Sequence, residues 1–391
     1  MTDKQNALPL VAAQPGIWLA DQLSPHRNAY AVAHLIDIPG EISQPVLSAA
    51  IISAMAGADT LRMRYEEQDG EAVQIPGPLP VIVPEYYDLR QEADPRSAAE
   101  DYIRRDLDSD LRITSAKPLY RHLLLQIGDT HWLWYQRYHH IAVDGFSFAA
   151  LTRHIAGIYT ARMQQTPAAP SPFTPFSAVV DEYLHYQQSS AWQRDSRYWQ
   201  EKLASLPSPV TLSEQALAGQ VPGVRLIRQQ LQLSAAGLQP LTEQFTAHGL
   251  TLTDGAIALV SLWLARLTGQ QPFSAGFIFM RRLGSAALCA TGPVINVLPM
   301  TVDYDPDLTL PALASRLAAE IKKNRRHQRF NAEQIMRDAG LNADHHPLYG
   351  PAINVKRFDY RLDFDGAIAE KEHQASGPDR DLVIALYPGE N

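Results

Sequence analysis

Cysteine is nearly absent: Cys289 is the only one in 391 residues. A disulfide framework within the chain and a cysteine-rich metal site are therefore excluded, and the composition fits a reducing compartment. A long apolar run is missing too. The longest, Ala256 to Leu267, is too short to span a bilayer and carries Arg266. The start, Met1 to Asn6, lacks the charged region and apolar core of a secretory leader. Positive charge is in deficit, with 34 Lys and Arg against 42 Asp and Glu and a net charge of −8, which argues against a general nucleic-acid binder. There is no short repeat and no low-complexity tract. The expectation is a cytoplasmic protein with no membrane span and no nucleic-acid partner.

What is present reads as a folded α/β (α+β) protein. Hydrophobic residues make up 46% and charged residues 19%, enough to build a sizeable core, and the length suggests about two or three structural units. Ser43 is placed to cap an early helix, with Pro45 just inside it and Leu47, Ala50, Ile51 and Ala54 at helical spacing. Residues Tyr30 to Ile38 read as a strand. Leu119 to Ile127 and His131 to Tyr138 read as two more, joined at Gly128-Asp129. A helix with Phe148, Leu151, Ile155 and Ile158 on one face follows. Pro167, Pro170, Pro172 and Pro175 then mark a linker, whose Phe173 and Phe176 suggest packing against the surface. Beyond it come helices near 254–267 and 310–328, a strand Phe273 to Met280 and a final strand Leu382 to Tyr387. The expected division is 1–177 and 178–391.

Tyr138-His139-His140-Ile141-Ala142-Val143-Asp144-Gly145 carries the chemistry. It ends a predicted strand and precedes a predicted helix, a setting where sites are built at a sheet edge. Neighbouring strand residues point to opposite faces, so one histidine should serve structure and the other chemistry. A histidine can take and return a proton near neutrality. Asp144 could orient an imidazole or be held by an arginine, and Gly145 could permit a tight or positive-φ turn. His140 and Asp144 are also four apart, as two metal ligands on one helix face would be. The preceding segment reads as strand and no further ligand cluster is evident, which disfavours zinc. Ser147 sits in a Gly-x-Ser-x setting, but Ala149 stands where a nucleophile turn has its second glycine.

The His-His-x-x-x-Asp-Gly pattern resembles that of the condensation domains of nonribosomal peptide synthetases, members of the chloramphenicol acetyltransferase-like superfamily. Further motifs occur in order: Ala13-Gln14-Pro15-Gly16-Ile17-Trp18, Asp59-Thr60-Leu61-Arg62-Met63-Arg64-Tyr65, Tyr198-Trp199 with Leu203, Met280-Arg281-Arg282, Gly292 through Pro299, and Pro347-Leu348-Tyr349-Gly350 with Asn354. Pro15-Gly16 and Ala58-Asp59 depart from the commoner residues at their positions. A closer resemblance to siderophore synthetases of the enterobactin type is carried by Leu10 to Trp18, Trp134 to Phe148, Phe277 to Ala287 and Arg325 to Gln334.

The resemblance implies two similar lobes in a V with the site between them, and no cofactor bound by the domain itself. Substrates would arrive on phosphopantetheine arms entering from opposite faces. The donor would be an acyl group, 2,3-dihydroxybenzoyl, on an aryl carrier protein. The acceptor would be a seryl group on a peptidyl carrier domain. Adenylation, carrier and thioesterase domains of a parent enzyme would be partners. It further implies that His140 is the catalytic histidine, that His139 is structural, and that Asp144 pairs with Arg282. Asn296 and Ser147 are candidates to line the cleft. The family's domains continue past the position of Asn391, so the second lobe is expected to be incomplete, leaving apolar surface and a strand edge uncovered.

Such a reaction needs no protein nucleophile, because the donor is already a thioester and the acceptor amine, with a reference pKa of about 7.7–8, is partly neutral at physiological pH. Lys322, Lys323, Arg325, Arg326 and Arg329 form a basic stretch in an acidic chain. They could steer an acidic carrier protein, although a solvated helix face opposite Leu313, Leu317 and Ile321 is the preferred reading. An epimerisation or other acyltransferase member of the superfamily, and a non-catalytic carrier-binding module, are the competing functions.

Overall fold

The computed structural model describes residues 6–78, 82–115, 117–212, 227–341, 347–356, 362–377 and 381–388; of the Met1 to Asn6 stretch read above, residues 1–5 lie outside them. Strand β1 (Leu8–Pro9) precedes helix α1 (Gln14–Leu23), strand β2 (Ala31–Pro39) and helix α2 (Gln44–Ala56). Strands β3 (Met63–Gln68), β4 (Glu71–Pro76) and β5 (Glu85–Asp88) follow, then helix α3 (Pro95–Leu107), the hairpin β6 (Tyr120–Gly128) and β7 (His131–His139), and helix α4 (Gly145–Met163). After the proline-rich stretch come helices α5 (Phe176–Gln187), α6 (Ser190–Leu203), α7 (Ala235–Thr246) and α8 (Leu252–Thr268), and strands β8 (Phe273–Phe279) and β9 (Asn296–Val302). Helices α9 (Leu310–Arg325) and α10 (Ala332–Asp338) lead to β10 (Ala352–Val355), β11 (Leu362–Phe364), β12 (Ala367–Ser376) and β13 (Val383–Leu386).

The larger sheet runs β11-β12-β2-β7-β6-β5, and its central strands are apolar on both faces. Along β7, Trp132, Trp134 and Tyr138 enter one core while Leu133 and Tyr135 enter another. This is the period-two alternation of a strand covered on both sides. The first core is closed by Leu47, Ala50, Ile51 and Ala54 of α2 and by Phe148, Leu151, Ile155 and Ile158 of α4. The second is closed by Ala99 and Ile103 of α3. Each large apolar side chain buried in this way contributes about 1.5–3 kcal/mol, so these two faces fix where β7 ends and where α4 begins.

The second sheet runs β13-β10-β8-β9 and has its own core, in which Phe273 and Phe277 of β8 and Leu298 and Met300 of β9 meet Leu313, Leu317 and Ile321 of α9. Strand pairing crosses the expected division at residue 177. The strand β12 lies antiparallel beside β2, with His373 opposite His34 and Ser376 opposite Val32. The late part of the chain therefore supplies two strands to the first sheet.

Three local expectations are corrected. Ser43 does stand at the N-cap of α2, but its side chain makes no cap bond; its backbone N–H donates to the Tyr159 hydroxyl at 3.0 Å instead. Helix α9 ends at Arg325, not near residue 328. Gln328 and Phe330 turn their carbonyls to the Asn296 amide, which pulls the chain out of helical register. Gly145 is the first residue of α4 and has no positive φ. Among the described residues no helix is long and apolar enough to cross a membrane.

Candidate active site

Strand β7 delivers His139 and His140 to the sheet edge and the chain then turns into α4. The two histidines part as strand geometry requires. His139 is buried, and its Nδ1 accepts the Ile141 N–H at 3.1 Å. Its Nε2 must then carry the hydrogen, which it donates to Asp21 Oδ1 of α1 at 3.2 Å. Asp21 is itself buried and its other oxygen accepts the Ile113 N–H at 3.1 Å. His139 is thus fully engaged in holding α1 and the 113 loop to the end of β7.

His140 is half-buried and anchored by its backbone, whose N–H donates to Tyr30 O at 2.8 Å. Neither ring nitrogen makes a well-formed hydrogen bond among the described residues, and Nδ1 is enclosed. Burial lowers the pKa of His140 below the usual histidine value of 6.5; the nearby backbone of His140 and Val143 and the Asp144 carboxylate oppose that shift without reversing it. The ring is therefore neutral at physiological pH. The returning strand β12 forms one wall. At Gly377, φ is +80°, and a Cβ there would stand 3.1 Å from His140 Cδ2, so a side chain at this position would press on the imidazole.

Asp144 faces away from this ring. It caps α4, accepting the Ser147 N–H at 3.0 Å, while Ser147 Oγ accepts the Asp144 N–H at 2.9 Å. Both carboxylate oxygens also take Arg282 Nη2 at 2.8 Å, and Oδ2 takes the Val294 N–H at 3.2 Å. Burial alone would raise the Asp144 pKa, but Arg282 and these hydrogen bonds outweigh it and hold the carboxyl below its ordinary value. Arg282, 1% exposed, also donates to the carbonyls of Ala287, Ala290 and Gly292. The aspartate thus joins α4 to the 282–294 loop of the other half of the chain. Gly292 is needed in that loop: its φ is +90° and a Cβ would meet the Phe176 ring at 2.5 Å.

The remaining sequence candidates are placed as follows. Ser147 is fully buried within the cap and lines no cleft. Asn296 is also buried; its amide bonds Gln328 O, Phe330 O and the Ala332 N–H, so it ties the turn after α9. Lys322, Lys323 and Arg325 are exposed on α9, with Lys323 over the Tyr198 ring. Arg326 caps the helix, and Arg329 lies beyond it in an ion pair with Glu182 of α5. The five therefore do not form one helix face. No cluster of three metal-ligating side chains occurs among the described residues. Sequence reasoning missed Asp21, for which no local signal exists, and Thr60, whose hydroxyl reaches Ala142 O at 2.8 Å and Thr291 at 2.7 Å. It missed Gly377 as well, since nothing in residues 362–377 announces that they return to β2.

Comparison with known proteins identifies the family. The family profile described as condensation domain matches residues 4–385. The chain is 50% identical over 387 residues to enterobactin synthase component F of Escherichia coli, covering 98% of this chain and 30% of that protein. It is 34% identical over 401 residues to the vanchrobactin synthetase of Vibrio anguillarum, covering 96% of this chain and 13% of that one. The chain thus spans under a third of the length of these relatives. The starter condensation domain of rhizomide synthetase, solved in complex with C8-CoA and Leu-SNAC, superposes with a TM-score of 0.89 at 29% identity, over 98% of this chain and 86% of that one. The first condensation domain of the calcium-dependent antibiotic synthetase, in complex with a substrate analogue, gives 0.84 at 27% identity, over 97% and 87%. A strand-to-helix turn carrying two histidines of opposite duty, locked from behind by a buried Asp–Arg pair, together with these matches, places the chain in the condensation-domain family of nonribosomal peptide synthetases.

Proposed function

We propose that this chain forms an amide bond between a carrier-bound acyl donor and a carrier-bound aminoacyl acceptor, with His140 as the catalytic residue. The observation that carries the reading is the state of His140: half-buried, its pKa held below the usual histidine value by burial, and its enclosed Nδ1 without a hydrogen-bond partner among the described residues, beside a histidine that is wholly occupied. The acceptor nitrogen attacks the thioester carbonyl carbon, a C–N bond forms, and collapse of the tetrahedral intermediate breaks the C–S bond. His140 Nε2 accepts the amine proton or a hydrogen bond from it, and the departing thiolate recovers a proton. Positioning of the two thioesters supplies a large share of the rate.

The donor we propose is 2,3-dihydroxybenzoyl on an aryl carrier protein and the acceptor a seryl group on a peptidyl carrier domain, in siderophore assembly of the enterobactin type. The identity to enterobactin synthase component F supports this choice. Phosphopantetheine arms belong to the carriers, and the domain contributes no cofactor of its own. Adenylation, carrier and thioesterase domains are the partners of such a domain, the exposed Lys322, Lys323 and Arg325 offer a basic patch for an acidic carrier, and the proposed compartment is the cytoplasm.

The test supplies the chain with both loaded carriers and follows the amide by mass spectrometry. His140→Ala is expected to keep the parent circular dichroism spectrum and to lose at least about a hundredfold in rate. Folded His140→Ala condensing at the parent rate overturns the assignment.

A further inference from the structure

A small cavity lies at the seam between the two halves, beside the Asp144–Arg282 pair. Val294, whose N–H reaches Asp144, lines it together with Glu182, Tyr183 and Tyr186 of α5, Arg281 and Arg329. At about 20 Å³ it takes one water-sized guest.

The hydrogen-bonding groups around this space are out of balance. Glu182 already holds three donors: Oε1 pairs with Arg329, and Oε2 takes Ser285 Oγ at 2.9 Å and the Ala286 N–H at 2.6 Å. The Ala12 and Ala287 carbonyls are turned to Asn331 and Arg282. Asn331 then fixes the remaining donors. Its Oδ1 takes Arg281 Nη1 at 2.8 Å, and its Nδ2 donates to Ala12 O at 2.9 Å and to the Tyr183 hydroxyl oxygen at 2.7 Å. Arginine only donates and a carbonyl only accepts, so no other orientation of this amide fits. The Tyr183 hydroxyl therefore receives a hydrogen bond and points its own hydrogen elsewhere, where no described residue accepts it. Arg281 Nε is enclosed and bonds to nothing among the described residues. No described carboxylate lies within ion-pair distance of Arg281; Glu333 acts on it only from further off. Burial lowers the pKa of Arg281 and of Arg329 below the ordinary arginine value, the response of cations short of counter-charge. Arg281 also stands at φ +54°, a left-handed conformation that a residue with a side chain adopts only at a cost.

A water in this cavity would accept from Arg281 and Tyr183, but its own two hydrogens would meet a carboxylate that already holds three donors. An anion only accepts. Arg281 and Arg329 against Glu182 leave one positive charge over to balance it. We propose that the cavity is a chloride site, in which the ion is held by Arg281 Nε and the Tyr183 hydroxyl and ties α5 to the loop that carries Arg282. The ion is structural: it braces the seam next to the Asp144–Arg282 pair and takes no part in bond making. The inference is independent of what the chain condenses.

The test titrates sodium chloride into the whole chain, with sodium gluconate holding the ionic strength constant, and follows the chloride NMR line width. The parent should broaden the line saturably. Tyr183→Phe removes one hydroxyl and leaves the ring, and should weaken binding about tenfold or more, the worth of one hydrogen bond to a charged group. Arg281→Asn, a residue type that tolerates positive φ, should abolish the saturable part. Urea midpoints give a second readout. Chloride should raise the parent's midpoint above that in gluconate, and the difference should shrink in Tyr183→Phe and vanish in Arg281→Asn. Sulfate, larger than the cavity admits, should not displace the bound chloride. Tyr183→Phe decides the matter alone if Arg281→Asn does not fold. A parent that gives no saturable broadening holds water there, and the inference falls. It falls equally if the folded variants keep the parent's saturable broadening, or if sulfate displaces chloride at similar concentration, which is the behaviour of an open cationic surface.

Discussion

Replacing Asp144 by alanine removes, in one step, the charge partner of Arg282, the cap of α4 and the acceptor for the Val294 N–H. Arg282 is 1% exposed and would keep only carbonyl partners. Stranding one member of a buried ion pair costs about 3–5 kcal/mol, and a lost N-cap about 1 kcal/mol. The terms share one carboxylate and do not simply add, so a loss of about 4–5 kcal/mol is expected. Asp144→Asn keeps a single acceptor oxygen, which can serve the Ser147 or the Val294 N–H but not both, and should fall between parent and alanine. His140→Ala breaks no side-chain hydrogen bond and should cost about 1 kcal/mol or less. Denaturant midpoints followed by tryptophan fluorescence and circular dichroism would rank parent, His140→Ala, Asp144→Asn and Asp144→Ala in that order. The carboxyl pKa is depressed in the folded chain, so its contribution is complete above the unfolded value of about 3.9 and is lost as pH falls through the folded value. Asp144→Ala should therefore lack that part of the acid sensitivity. Equal midpoints for Asp144→Ala and His140→Ala would refute the account of this pair as the staple between the two halves.

Two further outcomes follow from the same geometry. The rate of amide formation should rise with pH toward the amine pKa of about 8, and, because the His140 pKa lies below 6.5, its slope should steepen only under pH 6.5; a second break at or above 6.5, or one that survives in His140→Ala, contradicts a neutral catalytic imidazole. Asp21→Ala leaves the His139 Nε2–H and the Ile113 N–H buried without acceptors, a loss of about 1–3 kcal/mol for each group, so its denaturation midpoint should drop well below that of His140→Ala; an unchanged midpoint would show that His139 is not held from α1.

Local signals carried much of the site. The alternating apolar pattern of β7, the Gly128-Asp129 turn and the helical spacing from Phe148 to Ile158 place His140 at a strand-to-helix turn with no long-range information. Ser147 was misread because a serine three residues after an aspartate suits a capping box as well as a cleft, and only burial separates the two. The Asp144–Arg282 pair spans 138 residues, and no pattern in either segment names the other; family resemblance supplied it. The bonds of Asp21 to His139 and the meeting of His34 with His373 had no such help, because side-chain partners brought together by helix packing or by sheet register leave no periodicity in the chain.

The pairing of β12 with β2 has a consequence for how the chain is made. The edge of β2 that receives β12 is translated more than three hundred residues before its partner. At about 5–20 residues per second, that edge stays open for tens of seconds on the ribosome. Its sequence, Ala-Val-Ala-His-Leu-Ile-Asp-Ile-Pro, is apolar and β-favouring, the composition that invites pairing with another chain. His34 and Asp37 are the polar interruptions in that stretch, and they stand where a nascent strand needs protection from its neighbours.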